Sequence, residues 1–176
     1  AATDAFFVAF RIPNLLRRLV GEGSLTVSFI PVYSAYLKQK SKEESAEFLN
    51  ASFTVLVFFL LLLSLLGTLF SPWIVKVMAY GFSQEPEKFR LTVFLTRVMF
   101  PYIFFIGLVA WAMGVLNTLR HFTGPALAPV LLNLSIIACT LGSYGLFAEP
   151  ILSVAIGVLL GGAAQAGDLA ESLLKR

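Results

Sequence analysis

Charge is scarce in this sequence. Of its 176 residues only 13% are Asp, Glu, Lys or Arg, about half the roughly 25% of a soluble domain. Cysteine and histidine occur once each, as Cys139 and His121. A lone cysteine excludes an intramolecular disulfide, and inside an apolar run it reads as a small buried hydrophobe. Acids are not clustered, apart from Glu43-Glu44 in a lysine-rich loop. No metal site, no cofactor and no acid–base pair for lipid-phosphate chemistry is therefore expected, so the chain does not read as an enzyme. The phosphate-cradling pattern GxxxxGK[ST] is missing, which argues against direct use of ATP. A basic n-region and an initiator methionine are missing too, and the start "AATDAFF" reads as that of a fragment.

What is present is hydrocarbon. Hydrophobic residues make up 58% of the chain, with 17 phenylalanines. Uncharged runs extend over Phe48–Val75 (28 residues), Val98–Leu119 (22) and His121–Ala148 (28, with neutral histidine). About 20 residues of helix cross the ~30 Å core of a bilayer, so three spans follow directly. A fourth, Pro150–Gly167, has 18 uncharged residues rich in Gly and Ala, a composition suited to close helix packing. The expected fold is an all-α polytopic transmembrane bundle. Its expected layout is a broken segment over 4–37, spans over 48–72, 88–118, 124–147 and 150–166, and a tail over 166–176. That tail, "AGDLAESLLKR", has two readings, an amphipathic cytoplasmic helix or a foreign terminus.

The bases lie in short loops beside these spans, so the net charge of +3 does not point to nucleic acid. The loop 38–47, Arg120 and the tail together hold Lys38, Lys40, Lys42, Arg120, Lys175 and Arg176, whereas the loop 71–90 holds Lys76, Lys88 and Arg90. The excess of positive charge on cytoplasmic loops places the first group inside and loop 71–90 outside. In that outer loop Trp73 and Tyr80 suit interfacial depth, and Gly81 and Pro86 interrupt the helix.

The opening segment is the exception, because "RIPNLLRRLVGEGS" puts Arg11, Arg17, Arg18 and Glu22 between two apolar runs. On a helix, Asp4, Arg11, Asn14, Arg18 and Glu22 fall within an arc of about 80°. Pro13 removes a backbone donor and Gly21 and Gly23 flank Glu22, so the helix is expected to be kinked and locally opened. Broken helices at membrane depth line protein or water, where transporters hold substrate. A plain alternative is that Arg17 and Arg18 anchor a short helix at the interface. Against it, apolar sequence continues on both sides, and an arginine at mid-bilayer costs ~2.5 kcal/mol or more. Asp4 supplies a partner of opposite sign. An arginine-rich cavity selects an anion, and guanidinium forks suit phosphate.

Other residues have plainer readings. His121 is a loop histidine beside Arg120, read as structural. Asn133 either bonds a neighbouring helix or faces a cavity. Phe58-Phe59 and Phe104-Phe105 read as lipid or packing surface.

The run "ATDAFFVAFRIPNLLRRLVGEGSLTVSFIPVYSAYL" closely resembles the second-helix region of the MurJ/MviN lipid II flippases. "SPWIVKVMAYGF", "LTRVMFPYIFFIGLVAWAMGVLNTLRHFTGPALAPVLLNLSII" and "GVLLGGAAQ" match in the same order, so the resemblance covers about residues 2 to 165. It implies one lobe of a two-lobed, fourteen-helix transporter of the bacterial inner membrane. The implied activity is transfer of lipid II, an undecaprenyl-pyrophosphate-linked peptidoglycan precursor, from the inner to the outer leaflet by alternating access. Implied substrate contacts are Asp4, Arg17 and Arg18, with Arg11 and Asn14 on the same face, and an implied gate is built from Gly21, Glu22, Gly23 and Pro13. The implied partners are the lipid-linked saccharide, membrane lipids and the rest of the transporter. Alternatives within the superfamily are a polysaccharide-lipid flippase or a drug exporter. A drug exporter should carry intramembrane acid for cationic substrates, and a purely structural subunit has no need of an arginine-bearing break. The family's first helix and second lobe are absent from these residues, so the chain alone is not expected to transport.

Overall fold

The computed structural model describes residues 2–18, 28–142, 147 and 150–175, the side chains of Ile12, Leu16, Arg17 and Ser83 excepted. Every regular element among them is helical. In chain order these are α1 (Ala2–Arg17), α2 (Ile30–Gln39), α3 (Lys42–Leu69), α4 (Ser71–Met78), a 3₁₀ turn (Tyr80–Gln84), α5 (Pro86–Met99), α6 (Tyr102–Thr118), α7 (Thr123–Gly142) and α8 (Ile151–Leu174). Among the described residues four stretches are long and apolar enough to cross a membrane: Lys42–Leu69, Pro86–Thr118, Thr123–Gly142 and Ile151–Leu174.

Local chemistry sets several ends. Ser41 caps α3 by accepting from the Glu44 N–H (3.1 Å) while its own N–H donates to the Glu44 carboxylate (3.1 Å), a reciprocal box that satisfies two otherwise orphaned donors. The expected span over 88–118 is divided at Phe100–Pro101 into α5 and α6, because Pro101 has no N–H to continue the helical ladder. Helix α6 ends in a left-handed cap at Arg120 (φ 60°), where the His121 N–H donates to the Leu116 carbonyl (2.8 Å) and the Arg120 N–H to that of Asn117 (3.0 Å). Glycine ordinarily takes this position, since a Cβ is strained there. Helix α8 continues without a break through residues 166–174.

The core is built around α6, whose Tyr102, Ile106, Val109, Trp111, Ala112, Val115 and Leu116 are buried. Helices α1, α2, α3 and α8 pack on it. Helix α3 is mostly uncovered, Phe58 being 71% exposed, as suits a lipid-facing span. Phe104 instead packs against the Leu60–Phe100–Ile103 cluster. Helices α7 and α8 form an antiparallel pair with a four-residue repeat. A Cβ on Gly157 would lie 2.8 Å from the Ile136 Cα, one on Gly161 3.1 Å from the Leu132 Cα, and one on Gly124 3.1 Å from the Leu169 side chain. Between these contacts the buried Gln165 donates from Nε2 to the Ala128 carbonyl. Cys139 lies against Gly157 and is half-buried rather than buried, because α7 is covered mainly on the α8 side.

Candidate functional site

The site predicted from sequence lies on α1. Ala5, Ala9 and Pro13, one turn apart, are buried and pack α1 against α5 and α6. Small side chains at this spacing let backbones approach closely. Where a kink was expected at Pro13, α1 runs on through the proline to Arg17. The proline ring is on the packed face, where neighbouring helices hold the chain despite the lost hydrogen bond.

Arg11 and Asn14, and Arg18 one residue past the end of α1 in a π-helical turn, fall roughly opposite that packed stripe on the 100° helical wheel. Arg11 and Arg18 are exposed and Asn14 is half-buried. Arg11 and Asn14 line an open groove of about 410 Å³ with Phe7, Val8 and Phe10. Arg17 is the last residue of α1, and its side chain lies outside the described set; Gly21, Glu22 and Gly23 lie outside the described residues altogether.

The depth of this face follows from ring packing. Phe10 lies beside Tyr102, with ring centroids 6.2 Å apart, and Tyr102 stands midway along the 33-residue path Pro86–Thr118. Arg11 is therefore within about one helical turn of the middle of the span, and Arg18 lies about 10 Å further along the axis. Relative to the Pro86–Thr118 path, Arg11 is central and Arg18 is nearer one end.

Asp4 does not join this groove. It forms an ion pair with Lys88 of α5 at 3.4 Å. The Lys88 ammonium also sits 4.2 Å from the centre of the Phe82 ring. Sequence reading used Lys88 only as a loop base; the available signal was its place just after Pro86, in the first turn of a helix, where the dipole disfavours a cation.

A second groove, of about 630 Å³, lies at the opposite end of the bundle and is lined by Leu116, His121, Thr123, Gly124, Ser172 and Lys175. Lys175 is paired with Glu171, and that hydrogen bond pushes its ammonium above the usual lysine range. Among the described residues no group of three or more His, Cys, Asp or Glu could hold a metal ion.

Apolar helices of membrane-crossing length around a cation-bearing helix face define a multi-span integral membrane protein. The sequence profile of the family described as "Lipid II flippase MurJ" matches residues 1–167, and the chain belongs to that family. It is 42% identical over 163 residues to the lipid II flippase MurJ of Burkholderia cenocepacia, covering 93% of this chain and 32% of that protein. Over 178 aligned positions it is 43% identical to a probable lipid II flippase MurJ of Bdellovibrio bacteriovorus, covering 100% of this chain and 34% of the relative. A solved structure, "Lipid II flippase MurJ, inward closed conformation", superposes with a TM-score of 0.81 at 32% identity, over 99% of this chain and 36% of that one. The chain thus spans about a third of the length of these relatives. As a member of this family with four candidate spans it is a multi-pass protein of the bacterial inner membrane.

Proposed function

We propose that these residues form part of one lobe of a flippase that carries lipid II from the inner to the outer leaflet by alternating access. The observation that carries the reading is the exposed face that begins on α1, where Arg11 lies close to the middle of the Pro86–Thr118 path and Asn14 and Arg18 follow it on the side opposite the packed stripe. Uncompensated arginine at that depth is costly in lipid and favourable beside an anion. The pyrophosphate would be held by Arg11, Arg17 and Arg18 in a hydrated cavity, with Asn14 adding a neutral hydrogen-bonding group. The polyprenyl tail would remain in lipid, and rocking of this lobe against the rest of the transporter would move the site from one face to the other. Gly21, Glu22 and Gly23, with Pro13, would shape the lateral gate. The work is transport rather than bond-making.

In this reading residues 1–165 belong to a transmembrane lobe, with loop 38–47, the α6–α7 turn and the end of α8 in the cytoplasm and α4 outside. The antiparallel contacts agree with it, since Gly124 and Leu169 meet at one end of the bundle. Substitutions in the full-length transporter test the site. Arg18→Ala should lose flipping per folded molecule, Arg18→Lys should lose less, and Arg18→Glu should lose most. Normal flipping by Arg17→Ala, Arg18→Ala and their double variant would make them anchors. Labelling in intact cells tests the topology: a cysteine at Gln84 should react with an impermeant reagent and one at Ser41 should not.

A further inference from the structure

Lys88 occupies an unfavourable place for a lysine. It is the third residue of α5, after Pro86 and Glu87, and the positive end of the helix dipole favours Glu87 there and opposes a cation. A lysine serving as a lipid anchor would extend its ammonium towards headgroups. This side chain is instead only 16% exposed, with its ammonium 3.4 Å from the Asp4 carboxylate and 4.2 Å from the centre of the Phe82 ring. Three elements meet on one ammonium: α1 through Asp4, the 3₁₀ turn through Phe82, and α5 through its own backbone. Next to Asp4, Ala5 is fully buried, so the helices are already in close contact at this end. Asp4 is 59% exposed, and a pair open to solvent on one side contributes little to stability. Its geometry can still orient a helix.

We propose that Lys88 is a positioning residue for the α1 site, fastening the outer end of α1 to the 3₁₀ turn and α5. Resting on the reading of α1 as a wall of the substrate cavity, the same contact has an electrostatic consequence. Lys88 offsets the charge of Asp4 from outside the exposed face, so the carboxylate does not weaken the attraction of Arg11 and Arg18 for an anion. Asp4 and Arg11 are seven residues, about 10 Å of helix, apart, whereas Lys88 is in direct contact with Asp4.

The test uses the full-length transporter, with flipping of a pyrophosphate-linked polyprenyl saccharide normalised to folded protein. Lys88→Met should reduce flipping by about fivefold, the upper end for a partly exposed ion pair. Lys88→Arg should stay within about threefold, because it keeps both the ion pair and the ring contact. The double variant Asp4→Asn/Lys88→Met should be no worse than the worse single variant, since both act through one contact. A readout independent of transport is thiol labelling of Thr3→Cys, next to Asp4 on the exposed side of α1, in purified protein otherwise free of cysteine. Lys88→Met should raise its labelling rate about fivefold by loosening that end, and Lys88→Arg should not. Lys88→Gln replaces Lys88→Met if the latter does not fold. Normal flipping by Lys88→Met, losses that multiply in the double variant, or unchanged labelling at position 3 each overturn the proposal. If labelling rises as expected while Arg11→Ala and Arg18→Ala flip normally, the fastening stands and the reading of α1 as a substrate wall fails.

Discussion

Helix α1 and the α7–α8 pair are both packed through small residues, yet they spend their other faces differently. On α8, Gly157 and Gly161 meet α7, Gly162 meets Tyr102, and Ala155 and Val158 are buried as well. Among the described side chains of α1 the stripe Ala5, Ala9, Pro13 is buried, and Arg11 and Leu15, with Arg18 just past the helix, stand outside it. A helix buried on two sides has little freedom to carry charge. A helix held along one stripe can present guanidinium groups at membrane depth and still be positioned by its neighbours. The difference separates the part of this chain that holds shape from the part proposed to hold substrate, and substitutions in each region should therefore fail in different ways.

The largest expected effect is at α1. Arg18→Ala in the full-length transporter should lower flipping by about tenfold or more, because a charged hydrogen bond to phosphate contributes ~1.5–3 kcal/mol, while thermal unfolding in detergent stays near that of the parent. A fall in unfolding temperature that accounts for the whole loss would erase the distinction between the regions. Gly157→Val should do the converse. Its side chain would meet the Ile136 backbone, so stability should drop by about 1–3 kcal/mol, with flipping per folded molecule retained. Unchanged unfolding would mean that α7 and α8 are not held as close as the contacts indicate.

Smaller effects refine the picture. Arg120→Gly should raise stability by about 0.5–1 kcal/mol, since the left-handed cap suits glycine; destabilisation would show that the arginine side chain contributes more than its backbone strain costs. Gln165→Leu should change stability by less than about 1 kcal/mol. The amide loses its bond to the Ala128 carbonyl, but the buried Oε1, which has no hydrogen-bond partner among the described residues, is removed with it. A larger loss in an unfolding measurement would mean that this amide holds the two helices in register.

Much of this was legible in one dimension. Long uncharged runs require membrane-length helices wherever they fold in lipid, whereas the start of α3 at Lys42, ahead of the expected 48, is set by the local Ser41–Glu44 cap that the hydropathy reading did not use. The face shared by Arg11, Asn14 and Arg18 also follows from 100° per residue. Pro13 was expected to kink the helix, and α1 continues through it with the ring on the buried face, a placement set by packing rather than by local propensity. The division at Pro101 was missed because an uninterrupted apolar run conceals it.

The sequence by itself determined the solvent of this protein, the length of its helices and which residues of α1 share a face, since hydropathy, capping and helical period depend only on neighbours in the chain. Tertiary structure decided which side of α1 is covered, the depth at which Arg11 stands and the pairing of Asp4 with Lys88. Those depend on how helices far apart in sequence approach one another, and small residues at the contacts set that approach through their shape rather than through any charge or period a linear reading can count.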